Sequence, residues 1–337
     1  MYIVATISKN SFTADKIEEI IRAGATVLRY NFSHGTPEEM GQKINTAKEV
    51  IKKFDFQNIK ILADLPGDKI RLGKFSIGEY DVTKDTEVTF KSAQEREDPF
   101  EFIPVDYSEI GKLVVVGQTI TCGDGEVAFE VTKILDSESF IARTLNDRHI
   151  PALKALNIGR GIDQLEHFTP KTIAHIKNLS RIQPDWVAFS FVSGRSYLKR
   201  GIQLLHDYGV NAVKIVSKVE SPLGLRNIEN IAALSDVLLV ARGDLGLYTP
   251  IELIGINQKK IVTAAKKAGK EVIVSTQILD SLLSYYVPSR ADVLDLTNAI
   301  LDGADGIMLA KETGISKTPG YSVSVAKRII DAVTNAQ

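Results

Sequence analysis

AVKIVSKVE at residues 212–220 and VLLVARGD at residues 237–244 are the two stretches whose reading decides the fold. Each begins as a nearly continuous apolar, β-branched run and ends in charge. A strand buried on both faces reads this way, and such strands belong to parallel sheets covered by helices. Outward from them, six more runs repeat the pattern: IVATI from Ile3, TVLRYNF from Thr26, IKILADL from Ile59, WVAFSFV from Trp186, EVIVSTQ from Glu271 and GIMLAKE from Gly306. Each is followed by a helical pattern, which marks repeated βα units. Eight such units close into a TIM-type (β/α)8 barrel of class α/β.

The helices carry their own signals. Thr13 stands where it would cap a helix whose Ile17, Ile20 and Ile21 share one face, ending near Gly24. Thr36, Pro37 and Glu39 spell a capping box with proline at the first helical position. Ser289 and Asp292 repeat the box before Val293, Leu296 and Ile300.

From about Lys74 to Ile158 the rhythm changes. EVTF, LVVVG and VAFEV, with a Gly123-Asp124-Gly125 turn, predict a hairpin-rich insert after the third strand. The expected organisation is a barrel domain over 1–73 and 159–337 and a small β-barrel lid over 74–158. An insert at the mouth of a barrel is well placed to close over a substrate.

Composition narrows the function. The chain has 337 residues, 44% hydrophobic and 25% charged, with 41 basic against 42 acidic residues and a net charge of −1. No global field favours nucleic acid or an anionic membrane, so neither is an expected partner. The single cysteine, Cys122, excludes an internal disulfide and a multi-cysteine metal site, and points to a reducing cytoplasm. The opening MYIVATISKN reads as a first strand rather than a signal peptide.

In a barrel of this type, polar residues at the carboxyl ends of the strands converge on one mouth. Strand two ends in Arg29, Asn31, Ser33 and His34, and strand three in Asp64, then Arg71. Strand five ends in Lys218 and Glu220, strand six in Arg242 and Asp244, strand seven in Thr276, strand eight in Glu312. Residues 218 and 220 lie two apart on a strand and face the same side. Two carboxylates in a mouth suit a hard divalent cation, and a lysine beside them can neutralise a phosphoryl group or an enolate oxygen. Gly243 lets backbone N–H groups approach an anion at a helix start. Taken singly, Lys-x-Glu reads as a salt-bridged pair, Arg-Gly-Asp as a turn, and Arg29 as a partner for a neighbouring carboxylate. Their placement on successive strand ends favours one shared site.

At these residues the sequence resembles the pyruvate kinase family. LRYNFSHGTPEE, ILADLPGDKIRLG, VAFSFV, KIVSKVES, VARGDLG, STQILDSL, PSRADVLDLTNAILDGADGIML and KET are similar to its motifs, in its order. The resemblance implies phosphoryl transfer from phosphoenolpyruvate to ADP, then protonation of the enolate to pyruvate. It implies that Lys218 stabilises the phosphoryl group and enolate, and that Glu220 and Asp244 hold Mg²⁺ or Mn²⁺. Thr276 would sit on the proton-delivery side, and Gly243, Asp244 and Thr276 would hold the substrate carboxylate. Arg29 and Arg71 match phosphate-contacting arginines, with Asn31 and His34 near them. Asn31, Ser33 and Asp64 match the monovalent-cation site. Asp124 and Lys154 fall on the nucleotide side of the lid, although Asp124 reads equally well as a hairpin-turn residue.

The departures shape further expectations. Lys69 stands where the potassium-dependent branch has a glutamate, so K⁺ is not expected to be required. Ser8 and Lys9 replace the Gly-Pro bordering the nucleotide, Ser193 replaces a basic residue, and Ala310-Lys311 replaces a serine and a small residue. The family's carboxyl-terminal regulatory domain is expected to be absent, leaving barrel surfaces for a homodimer. Two alternatives remain open: a nucleotide-independent, metal-dependent lyase or decarboxylase on a pyruvyl substrate, and a non-catalytic metabolite-binding homologue.

Overall fold

All eight apolar runs become strands of one closed barrel. The computed structural model describes residues 1–67, 69–76, 79–96, 101–159 and 168–336. Asp68 of the third-strand motif and Gln337 therefore lie outside the described residues. The barrel strands are β1 Tyr2–Thr6, β2 Val27–Asn31, β3 Lys60–Asp64, β4 Trp186–Phe189, β5 Lys214–Val219, β6 Val237–Ala241, β7 Glu271–Ser275 and β8 Gly306–Leu309. Every neighbouring pair is parallel, and β1 closes the ring against β8.

The helices are α1 Ala14–Arg22, α2 Pro37–Lys53, α3 Pro170–Ile182, α4 Arg195–Asp207, α5 Pro222–Arg226, α6 Ile228–Ala232, α7 Arg242–Tyr248, α8 Ile254–Lys267, α9 Arg290–Leu301, α10 Lys311–Gly314 and α11 Pro319–Ala336. Side chains alternate along each strand. Leu28, Tyr30, Ile61, Ala63, Ile215, Val219, Leu238 and Val240 point outward into a core shared with the helices. Val4, Val27, Leu62, Trp186, Val216, Leu239, Ile273 and Met308 fill the interior. The barrel is thus a plugged cylinder, with Tyr2, Lys214 and Glu271 bonded together at the amino end of the strands and the candidate site residues at the carboxyl end.

The chain divides into two compact units. One comprises Met1–Gly67, His167–Leu245 and Glu252–Gln337, and holds the barrel. The other comprises Asp68–Glu166 and Gly246–Ile251. Its main sheet has six strands, in the order Leu156–Asn157, Thr119–Cys122, Val127–Ile134, Ser139–Thr144, Glu87–Ser92 and Ile103–Val105. Phe90 anchors its core, stacked on Phe140 at 4.9 Å and edge-on to Phe129 at 5.1 Å. Cys122 is buried there, and burial pushes its thiol up to about 12.

Three local expectations need correction. LVVVG (113–117) is not a strand. Leu113 and Val114 are buried, Val115 and Val116 are exposed, and Gly117 turns the chain at φ +82° before the next strand begins at Thr119. The run is apolar because its first half anchors a bend. Thr13 occupies the cap position of α1 but its side chain makes no cap hydrogen bond. Ser289 does cap α9, yet Asp292 does not complete a box: its carboxylate accepts the Ser281 N–H at 3.1 Å and the Ser281 hydroxyl. The Thr36–Glu39 box forms in full.

Candidate active site

Strand alternation places the charges. On β2, Val27 belongs to the plug and Leu28 to the outer layer, so Arg29 and Asn31 return to the inside. The same count takes Leu62 to Asp64 on β3, and Val216 to Lys218 and then Glu220 on β5. Asp64 lies level with Asn31 on one side and Ala188 on the other. The charges therefore form one layer directly above the apolar plug.

The layer is knit together. Arg29 donates from Nε and Nη2 to Asp64 Oδ2 at 2.9 and 2.6 Å, and from Nη1 to the Thr6 hydroxyl at 3.0 Å. Lys218 Nζ stands 3.2 Å from Asp64 Oδ1 and 3.1 Å from Glu220 Oε1. It also donates to Ser190 Oγ at 2.9 Å, and the Ser190 hydroxyl in turn donates to the Leu65 carbonyl at 2.8 Å. The contact with Asp64 Oδ1 is ionic: that oxygen makes no hydrogen bond among the described residues. The other Glu220 oxygen accepts the Phe191 N–H at 2.6 Å. Glu220 is 1% exposed and Asp64 2%, so these charges are stabilised by each other rather than by water.

Burial acts to raise the Asp64 carboxyl, but Lys218 and Arg29 outweigh it and hold the group below its ordinary value. Burial acts to lower the Lys218 ammonium, but Asp64 and Glu220 outweigh it and raise the group. Lys218 is therefore a fixed cation across the physiological range. Glu220 behaves differently. Burial pushes its carboxyl up, Lys218 opposes this, and the nearby Asp244 carboxylate adds to the rise. Arg29 and Lys218 thus face the Asp64 and Glu220 carboxylates, and Asp244 adds negative charge beside Glu220. Among the described residues no group of three or more His, Cys, Asp or Glu forms a metal cage. Two mutually repelling carboxylates still fit a hard cation that takes its other ligands from substrate and water.

Gly243 and Asp244 open α7, where backbone N–H groups have no partner within the helix. A Cβ on Gly243 would lie 3.1 Å from Thr276 Cγ2, so glycine permits the closest approach of these two loops. Thr276 has φ +73° and Gln277 φ +54°, a left-handed backbone that a β-branched residue rarely adopts. Arg242 donates from Nε to the carbonyls of Ser275 and Thr276, each at 3.1 Å, and from Nη2 to those of Thr276 and Gln277 at 2.5 and 3.1 Å. Its Nη1 holds Asp295 at 2.7 and 2.8 Å. The fully buried Glu312 accepts N–H groups from Ile278, Leu279 and Ala310 at 3.0, 3.2 and 2.8 Å.

The other candidates are more exposed. Asn31 Oδ1 accepts the Ser33 N–H at 3.1 Å, and His34 is exposed. In the second unit Lys69 is half-buried, Arg71 is exposed and donates to the Leu153 carbonyl at 3.1 Å, and Lys154 lies 3.6 Å from Glu126. Asp124 sits exposed on the turn between two antiparallel strands, its N–H given to Glu126 at 2.7 Å. The structure brings together Arg29, Asp64, Lys218 and Glu220, with Asp244 close enough to act on the last two. Sequence reasoning missed Ser190 and Thr6, the hydroxyls that orient Lys218 and Arg29. Their one signal was a polar residue in or just beyond an otherwise apolar strand.

Comparison with known proteins agrees with this architecture. The family model described as "Pyruvate kinase, barrel domain" matches residues 1–323. A pyruvate kinase of Thermococcus litoralis is 34% identical over 327 residues, covering 97% of this chain and 68% of the relative. One from Agrobacterium vitis is 32% identical, covering 98% of this chain and 67% of the relative. The crystal structure of a pyruvate kinase from Cryptosporidium parvum superposes with a TM-score of 0.92 at 28% identity, covering 100% of this chain and 69% of that one.

Proposed function

The chain belongs to the pyruvate kinase family and is a pyruvate kinase-like transferase, and from that premise we propose which residues carry the transfer of a phosphoryl group from phosphoenolpyruvate to ADP. The observation that carries the assignment is the buried Asp64–Lys218–Glu220 chain at the barrel mouth. Its ammonium is locked in the charged state and aimed by Ser190.

Lys218 neutralises charge on the phosphoryl group in transit and on the enolate oxygen left behind. Because it is a fixed cation, it works electrostatically and does not trade its proton at neutral pH. Arg29, anchored by Asp64 and Thr6, presents its remaining N–H groups to the phosphate. The N–H groups of Gly243 and Asp244, with the Thr276 hydroxyl, hold the substrate carboxylate. Thr276 stands on the side from which the enolate carbon receives its proton. Glu220 and Asp244 would hold a divalent cation, Mg²⁺ or Mn²⁺, which supplies Lewis-acid polarisation and offsets their negative charge. His34 and Asn31 in the barrel, and separately Arg71, Lys154 and Asp124 in the second unit, are assigned to nucleotide phosphates, and the β-rich insert around 74–158 is assigned the part of a lid.

Lys69 supplies the positive charge of a monovalent cation, so turnover proceeds without K⁺. The exposed Tyr285, Tyr286, Val287, Leu294 and Leu301 supply an apolar barrel surface for a homodimer. No helix among the described residues is long and apolar enough to cross a membrane, and the cytoplasm is the proposed site of action. None of the comparisons favours the nucleotide-independent lyase or the non-catalytic homologue.

The test is to incubate pure protein with Mg²⁺ and phosphoenolpyruvate, with and without ADP and with and without K⁺. ADP-dependent formation of pyruvate and ATP, unchanged by K⁺, is the expected result. Pyruvate formed without ATP contradicts the kinase, and a rate that collapses without K⁺ contradicts the role of Lys69.

A further inference from the structure

Thr276 and Gln277 are two consecutive non-glycine residues in the left-handed region, on the loop leaving β7. Such backbone is costly for a β-branched side chain and persists only where its surroundings over-determine it. A turn with no task beyond reversing the chain would accept glycine or asparagine here at little cost. This one keeps threonine and is gripped from two sides. The Arg242 guanidinium gathers the carbonyls of residues 275, 276 and 277. The Glu312 carboxylate gathers the N–H groups of 278 and 279. Both grips are themselves anchored: Arg242 by both oxygens of Asp295, Glu312 by the Ala310 N–H at the start of its own helix.

The two clamps complement each other chemically. A cation with forked donors takes the acceptors, and an anion takes the donors. Glu312 is fully buried, so the N–H groups it holds do the work that water would do at the surface. The turn sets the direction of the Thr276 side chain, which meets the Gly243 position so closely that an added methyl would stand 3.1 Å from Cγ2. A left-handed residue relaxing to an ordinary conformation would swing that hydroxyl away from the Gly243 and Asp244 amides.

We propose that Arg242 and Glu312 are positioning residues for the reaction, clamping the strained Thr276–Gln277 turn so that the Thr276 hydroxyl is held beside Gly243. This rests on the role proposed above for Thr276. Neither residue touches substrate, so their effect on turnover passes wholly through Thr276.

A double-mutant cycle in the holoenzyme tests this, with kcat measured at saturating phosphoenolpyruvate, ADP and Mg²⁺ for the parent, Glu312→Gln, Thr276→Ala and the pair. Glu312→Gln offers the three N–H groups one acceptor oxygen and a donating amide, and kcat falls about a hundredfold, the scale of a misplaced group. In the Thr276→Ala background the same change lowers kcat by less than about threefold, because the hydroxyl it serves is already gone. Multiplicative losses, or a Glu312→Gln enzyme within twofold of the parent, overturn the proposal. If Glu312→Gln does not fold, Arg242→Lys, which keeps the charge toward Asp295 and loses the fork, runs the same cycle. Hydrogen exchange at the Ile278 and Leu279 amides decides the clamp without any assay: exchange rises at least tenfold in Glu312→Gln if the clamp is real and is unchanged if it is not. A parent that converts no phosphoenolpyruvate sinks the functional reading and the catalytic half of the proposal, while the exchange rates still judge the clamp.

Discussion

The barrel mouth and the second unit hold their candidate residues in opposite ways. In the mouth, Arg29, Asp64, Lys218 and Glu220 are buried and bonded to one another, and hydroxyls of Thr6 and Ser190 fix the two cations. In the second unit, Arg71 and Asp124 are exposed, and Lys154 makes one loose ion pair with Glu126. The difference bears on the roles proposed above for the two regions. Charge that must stabilise a transition state gains most when it is oriented in advance and screened from water. Exposed charges gain little from a single ion pair, because water and salt screen it.

The comparison breaks most visibly at Lys218. Lys218→Met lowers kcat by about a hundred- to a thousandfold, the range seen when one preorganised charge-stabilising group is lost; near-parental turnover would refute the role given to it. Next comes the core of the second unit. Phe90→Ala removes a ring packed on two others and costs about 3–5 kcal/mol, read by urea unfolding. A loss below 1 kcal/mol would mean that this sheet does not depend on its aromatic centre. Lys154→Ala, a change at a half-buried cation, raises the KM for ADP about tenfold, the scale of one charge-assisted contact, and leaves the KM for phosphoenolpyruvate alone. An equal rise for both substrates would erase the distinction between the regions.

The smallest effect lies in the barrel's outer layer. His175 on α3 is buried against Phe32, ring centres 5.2 Å apart, with neither ring nitrogen hydrogen-bonded among the described residues. Burial and then Lys171 lower its titration from the ordinary value of 6.5, against a weaker pull upward from Glu38. The folded state therefore binds the proton less readily than the unfolded chain. Its contribution is fully present above pH 6.5 and is lost as pH falls below it, by up to about 1.4 kcal/mol per pH unit. His175→Phe flattens the stability difference between pH 7 and pH 5, measured by urea unfolding. An unchanged difference would assign the acid lability elsewhere.

Much of this was legible from residues alone. The eight runs give eight strands because parallel strands buried on both faces tolerate little polarity. Lys218 and Glu220 were readable as one site because a strand has a period of two. Ser190 and Thr6 were not, since a hydroxyl in or beside an apolar strand has no preferred partner in sequence. Arg242 and Glu312 were visible as strand-end charges, yet their task was hidden: it depends on the left-handed turn at Thr276, and nothing about threonine or glutamine announces one. LVVVG misled because an apolar bend and a short strand share a composition.

The central claim is that the barrel mouth carries the chemistry and the second unit delivers the nucleotide. Its most direct measurement is kcat for Lys154→Ala and Lys218→Met, side by side, as ADP is raised to saturation. The account predicts that Lys154→Ala recovers to within about threefold of the parent, the loss of a binding contact being overcome by concentration. Lys218→Met stays down at every concentration. A Lys154→Ala enzyme whose kcat remains a hundredfold low, or a Lys218→Met enzyme rescued by ADP, would contradict it.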